Sequence, residues 1–206
     1  MDQVRIRPAG ESALLVECVD GEQATAWRAE LWRRRTAGQL TATEIVAGAR
    51  TVLLDGLADP STTARLIAGW EPPPAVDLAA ADVLEIPVRY DGADLADVAE
   101  RWGVPVRAAI DRLANAELRV AFCGFAPGFG YLTGLPPQWA VPRLPSPRPR
   151  VPVGSVGLAA GYAGIYPTAS PGGWRLVGRT DAVLFDVRRD PPALLTPGTA
   201  VHLAAT

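Results

Sequence analysis

The 206-residue sequence predicts an α+β N-terminal domain followed by a mainly β, barrel-forming domain. Three observations predict it. The first 70 residues read as two strands, a helix, two strands and a helix, the order of helices packed on one antiparallel sheet. The run Glu71-Pro72-Pro73-Pro74 then breaks the pattern with stiff, extended chain suited to a linker. After Ala116 the helical period stops, and short apolar runs alternate with Gly/Pro turns, as in a closed β-barrel. The expected domains are 1–76 and 77–206.

The elements follow in order. Val4–Arg7 and Ala13–Glu17 flank the turn Pro8-Ala9-Gly10 as strands. Gly21–Arg35 carries Ala24, Ala26, Trp27 and Leu31 at helical spacing and closes on Arg33-Arg34-Arg35, where cations suit a helix C-terminus. Glu44–Ala47 and Thr51–Asp55 form a strand pair. Ser61–Trp70 is a helix capped by Asp59 or Ser61. Val83–Arg89 opens the second domain as a strand. Asp94–Gly103 is a helix with an Asp cap, and Pro105–Ala116 is another that buries Val106, Ala109, Ile110 and Leu113. The remaining strands are Leu118–Cys123, Ser155–Ala159, Gly164–Pro167, Arg175–Gly178, Ala182–Asp186 and Ala200–Leu203.

The stretch Ala121–Thr180 concentrates the chemistry. It holds 11 of the 20 glycines, 10 of the 20 prolines and eight of the fourteen aromatic residues. It carries five arginines and no acid, so it presents a local positive field. Its aromatic and β-branched content offsets the entropy of ordering the chain, so it reads as a rigid, turn-dense β region, not a disordered linker. Pro142-Arg143 and Pro147-Arg148-Pro149-Arg150 place guanidinium groups on preordered backbone, suited to bidentate capture of carboxylate or phosphate. The same arginines can instead pair with acids elsewhere in the fold. Arg148, Arg150 and Ser155 are the candidate catalytic residues, Ser155 as a hydrogen-bond donor. Arg143, Phe129, Tyr131, Tyr166, Gly172, Gly173 and Trp174 are candidates for substrate binding, the glycines through backbone amides. Ser170 adds a hydroxyl beside those glycines. The stretch offers no carboxylate or histidine, so acid–base work must come from elsewhere. It is half of a site.

Composition excludes several other chemistries. Net charge is −2, which argues against nucleic acid as partner. All 20 basic residues are arginine, so no P-loop or Schiff-base lysine exists. Two cysteines, Cys18 and Cys123, and one histidine, His202, give no metal-ligand spacing and no natural triad. No leader pattern and no apolar run of about 18 residues is present, so no membrane span and a cytoplasmic location are expected.

The segments GFAPGFGYLTGLP, VPRLPSPRPRVPVGSVGLA, GIYPTASPGGWRLVGRT and DPPALLTPGTAV, densest between Val83 and Leu203, resemble the family of the 5-oxoprolinase B-type subunit (PxpB), the kinase inhibitor KipI and allophanate hydrolase subunit 1. Gly10–Val16 carries a thinner likeness. The resemblance implies that the barrel is cyclophilin-like. It implies a heteromeric complex with a paralogous C-type (KipA-like) subunit and an A-type subunit, opening 5-oxoproline to L-glutamate with ATP. It also implies two other readings: a regulatory protein that inhibits a sensor histidine kinase, and an amide-processing subunit like that of allophanate hydrolase or urea carboxylase. Where relatives carry HxxxxY before the GFxPGF strand, this chain has Leu113 and Leu118. Where they carry PGD near the tail, it has Pro197-Gly198-Thr199.

Overall fold

A computed structural model describes residues 4–71, 73–74 and 83–206. They divide into two units, Met1–Ala80 and Ala81–Thr206. The boundary expected at 76/77 lies outside the described residues.

In the first unit, β1 (Arg5–Pro8), β2 (Leu14–Glu17), β3 (Glu44–Ala47) and β4 (Thr51–Asp55) form an antiparallel sheet in the order β1-β2-β4-β3. Strand β3 alternates exposed and buried residues, as period-2 patterning on a one-sided sheet requires. Helix α1 (Gly21–Thr36) opens on Asp20, whose carboxylate accepts from the Gln23 amide at 2.8 Å. It buries Ala24, Ala26, Trp27 and Leu31, the face expected from spacing. Trp27 and Leu31 pack with Leu14, Val16, Val52 and Leu54, each such side chain contributing roughly 2–3 kcal/mol by leaving water. Helix α2 (Pro60–Ala68) is capped by Asp59, not Ser61, because the Asp59 carboxylate reaches the Thr62 amide at 3.0 Å.

The arginines closing α1 do more than meet its dipole. Arg33 and Arg34 donate to Glu30 at 2.7 and 2.6 Å, and these hydrogen bonds, Arg33's foremost, hold the Glu30 carboxyl down to about 2. A carboxylate with a folded pKa below its unfolded value adds stability above about pH 4.3, which is lost as pH falls towards 2. Glu30→Gln is therefore expected to flatten the acid limb of a stability-versus-pH curve between about pH 4.5 and 2. Denaturant midpoints measured across that window check it.

The second unit is built on a seven-stranded sheet. Its strands are β5 (Val83–Val88), β6 (Leu118–Cys123), β7 (Gly130–Thr133), β9 (Ser155–Ala159), β10 (Tyr162–Ile165), β12 (Arg175–Arg179) and β13 (Ala200–Ala205). The order is β12-β9-β10-β7-β6-β13-β5, with only β13 and β5 parallel. Arg89 and Arg179 exchange backbone hydrogen bonds of 2.9 Å, joining the two sheet edges into a nearly closed barrel. Two further short strands, β8 (Arg148–Val151) and β11 (Ser170–Gly172), pair as a separate ribbon. Helices α3 (Leu95–Arg101) and α4 (Val106–Ala114) pack on each other, α3 against β12 and α4 against β13.

Strand β9 is buried along its whole length because both of its faces are covered. Val156 and Leu158 point into the barrel core with Ala163 and Ile165 of β10. Ala159 faces the other way, towards a second cluster around Phe129, Tyr166 and Trp174. Gly164 of β10 must be glycine there, since a Cβ would fall 2.9 Å from the Phe129 ring and 3.0 Å from that of Trp174.

Several expectations need correction. Ala182–Asp186 is not a strand and contributes one isolated bridge, Phe185 to Ala193. Val106 begins α4 at an exposed position, because the first turn projects beyond the core that Ala109 and Leu113 reach. Asp94 occupies the N-cap position of α3 but makes no capping hydrogen bond, because its carboxylate is engaged across the fold. Leu113 and Leu118, which replace the HxxxxY pair of relatives, are buried in the barrel core. Thr199, which stands where relatives carry the aspartate of PGD, is half-buried and bonds Thr196 at 3.1 Å between hydroxyls.

Candidate functional site

The arginine-rich stretch folds over the outer face of β9 and β10. Phe129, Tyr166 and Trp174 are all but sealed from solvent there, and their rings meet edge to face at 5.4–5.5 Å. Half-buried Tyr131 joins them, 5.0 Å from Phe129 and 5.6 Å from Trp174. Edge-to-face contacts at these separations fix ring orientation beyond simple burial. The four expected binding aromatics are thus brought together, but as a packed platform and not as the walls of an open pocket.

The β8–β11 ribbon completes this surface. Gly172 lies so close over the Tyr166 hydroxyl that a Cβ would collide with it. The Leu144 amide donates to the Gly173 carbonyl at 2.7 Å, tying the Arg143 segment to the same ribbon. Burial, chiefly, pushes the Tyr166 phenol above its ordinary value. The Trp174 amide and the charges of Arg143 and Arg148 work in the opposite direction. Tyr166 therefore stays protonated at neutral pH and acts as a neutral hydrogen-bonding group.

The three candidate anion-binding arginines divide into two kinds. Arg148 is committed internally. Its Nη2 donates to both oxygens of Asp94 at 2.7 and 2.9 Å, and its Nη1 to the Trp174 carbonyl at 3.3 Å. Asp94 is 9% exposed and also accepts from the Leu176 amide at 2.6 Å. This carboxylate fastens β8, β12 and the start of α3 to one another. Arg175, buried on β12, repeats the pattern by donating to the Pro142 carbonyl at 2.9 Å and pairing with Asp97 of α3. Arg143 and Arg150, by contrast, are exposed, and among the described residues neither guanidinium makes a hydrogen bond or ion pair. Arg150 lies on β8 of the ribbon and Arg143 on the segment leading to it.

Ser155 lies buried in β9, and its hydroxyl bonds no carboxylate or imidazole among the described residues. That arrangement supports no nucleophile. The hydroxyl with an unmet need is that of Ser170 on β11, buried and without a partner among the described residues. A buried polar atom left unpaired is costly and points to a missing ligand group or water. The SPGGW turn in the sequence carried the signal for it.

Sequence reasoning missed Phe125. Its ring is 59% exposed, 5.3 Å from Phe129 and 6.1 Å from Tyr166, on a residue with φ of 69°. A bulky side chain in the left-handed region is rare and stores strain that its surroundings must hold. The two phenylalanines of GFAPGF gave a signal, but nothing in the sequence tells which is buried.

His202 sits on β13 with Nε2 against the Ala114 carbonyl and Nδ1 3.7 Å from Glu85, in no contact with this surface. Among the described residues no group of three His, Cys, Asp or Glu side chains gathers for a metal, and no helix is long and apolar enough to cross a membrane.

Comparison with known proteins agrees with this architecture. The model of the carboxyltransferase domain, subdomains C and D, matches residues 4–195. The 5-oxoprolinase B-type subunit of Escherichia coli O157:H7 is 37% identical over 98% of this chain and 96% of its own length. The crystal structure of TTHA0988 superposes with a TM-score of 0.75 at 31% identity, covering 98% of this chain but 40% of that one. Kluyveromyces lactis urea amidolyase, at 22% identity and a TM-score of 0.76 over 15% of its length, shares the fold alone. The chain belongs to the family of the carboxyltransferase domain, subdomains C and D, with B-type subunits of 5-oxoprolinase among its relatives.

Proposed function

We propose that this chain is the B-type subunit of a heteromeric, ATP-dependent 5-oxoprolinase that opens 5-oxoproline to L-glutamate with C-type and A-type subunits. The observation that carries the reading is the match to the B-type subunit of a 5-oxoprolinase over 98% of this chain and 96% of that subunit. The barrel surface supports it chemically. Arg143 and Arg150 are exposed cations without a hydrogen bond or ion pair among the described residues, with no acidic residue in the sixty-residue stretch to compete. That donor set fits a carboxylate or phosphate group, and both 5-oxoproline and ATP carry one.

ATP supplies phosphoryl transfer, which turns the lactam oxygen into a leaving group. This chain's part is to hold the anionic substrate. Arg143 and Arg150 grip it, the Gly172 and Gly173 backbone lets it approach closely, and Arg148 locks the ribbon through Asp94. Ser155 supports the strand beneath. The aromatic platform of Phe129, Tyr131, Tyr166 and Trp174 keeps the ribbon rigid and excludes water from below. The acid–base group comes from a partner subunit, since this surface has none. A cytoplasmic location belongs to the same proposal, and two cysteines that form no disulfide accord with a reducing compartment.

Co-expression of this chain with its candidate A-type and C-type subunits tests the assignment. ATP-dependent glutamate release from 5-oxoproline is expected with all three, falling to background when this chain is omitted. Undiminished release without it would refute the assignment.

A further inference from the structure

A cavity of about 500 Å³ opens at the end of the β6–β7 hairpin opposite the GFAPGF loop, where the C-terminus of α4 meets the turn after β7. Its size suits a small organic ligand. Ala116, Pro136 and Trp139 form an apolar wall, and Asp111, Arg112, Asn115 and Glu117 are its polar groups. Trp139 is held in place. It packs against Trp102 with ring centroids 5.4 Å apart, and Trp102 Nε1 donates to the Trp139 carbonyl at 3.0 Å.

Arg112 is half-buried in this cavity, while Asp111, Asn115 and Glu117 are exposed at its edge. Arg112 lies 5.3 Å over the Trp139 ring, half-buried, and no carboxylate pairs with it among the described residues. Glu117 on the same lining is likewise without an ion pair among them. Asp111, the other acid present, is already matched by Arg107 at 3.1 Å. Among the described residues, then, Arg112 and Glu117 line the cavity without an ion pair to each other or to any other side chain. Asn115 donates through Nδ2 to the Asp111 carbonyl at 2.6 Å, which leaves its side-chain oxygen as an acceptor. That acceptor and the negative end of the α4 dipole favour a positive group on the Glu117 side.

We propose that this cavity binds a free α-amino acid as its zwitterion. The carboxylate pairs with Arg112, the ammonium with Glu117 and Asn115, and the side chain lies along Ala116, Pro136 and Trp139. A guanidinium grips a carboxylate in a planar, two-pronged geometry, while a small ammonium suits a carboxylate and an amide oxygen together. An anion alone would meet Glu117 uncompensated, and a cation alone would leave Arg112 unmatched. The inference stands on this cavity and is independent of the role proposed for the arginine-rich surface.

L-leucine is the probe, titrated into the intact chain while the Trp139 indole N–H resonance is followed, assigned with Trp139→Phe. Isoamylamine, which lacks the carboxylate, and 4-methylpentanoate, which lacks the ammonium, are the comparison ligands. L-leucine is expected to saturate with a Kd of about 1 mM or tighter. Each comparison ligand should bind at least roughly tenfold more weakly, the loss of one charge-assisted hydrogen bond. Arg112→Gln should weaken L-leucine about tenfold without weakening isoamylamine, and Glu117→Gln should do the same for L-leucine without weakening 4-methylpentanoate. No saturable shift with L-leucine up to ~20 mM, equal binding of the three ligands, or full L-leucine affinity in Arg112→Gln would each overturn the proposal.

Discussion

Asp94→Ala is expected to destabilise the barrel by about 3 kcal/mol. Asp94 is buried and receives three hydrogen bonds, two from Arg148 and one from the Leu176 amide. Removing it strands a partly buried guanidinium and an amide of β12 at once. A surface pair would contribute less than about 1 kcal/mol, so the size of the loss distinguishes a buried clamp from a decorative ion pair. Arg148→Ala should cost a similar amount, since it leaves the carboxylate unmatched. The double substitution should cost clearly less than the sum of the two. Denaturant unfolding of the intact chain, followed by circular dichroism, measures all three variants. An unchanged midpoint for Asp94→Ala would show that the pair does not hold the ribbon.

This clamp also shows where the sequence stopped being informative. Arg148 and Asp94 are 54 residues apart, and nothing local marks which of the 22 acids meets which of the 20 arginines. Asp94 even carries the wrong local signal, because an aspartate before a helical run reads as an N-cap, while tertiary pairing claims its carboxylate. The paired elements with regular spacing were legible. Strands β3, β4, β6 and β9 fall where composition placed them, as does the buried face of α1. The ribbon strands β8 and β11 were not, because Arg148-Pro149-Arg150 and Ser170-Pro171-Gly172 interrupt any alternation with proline and glycine. Their pairing comes from the platform beneath them, which only the fold assembles. The aromatic content of that platform was visible in advance, but its packed state depends on Gly164 and Gly172 lying under particular rings.

The largest effect on activity is expected from Arg143 and Arg150, which have no partner among the described residues. Arg143 and Arg150 are exposed and, among the described residues, unpaired, so replacing them should change stability by no more than about 0.5 kcal/mol. Each charge-assisted hydrogen bond to an anionic substrate is worth about 1.5 kcal/mol or more, roughly tenfold in rate or affinity. The pair should therefore contribute about 100-fold. Arg148→Ala differs in kind, since its loss of activity would track its loss of folded protein.

The most direct test is steady-state kinetics of Arg143→Ala/Arg150→Ala in the assembled three-subunit complex, with ATP-dependent glutamate release as the readout. The expected result is a fall of about 100-fold in kcat/KM for 5-oxoproline, with complex assembly and thermal midpoint unchanged. Wild-type kcat/KM in an intact complex would contradict the assignment of this surface as the anion-binding half of the site.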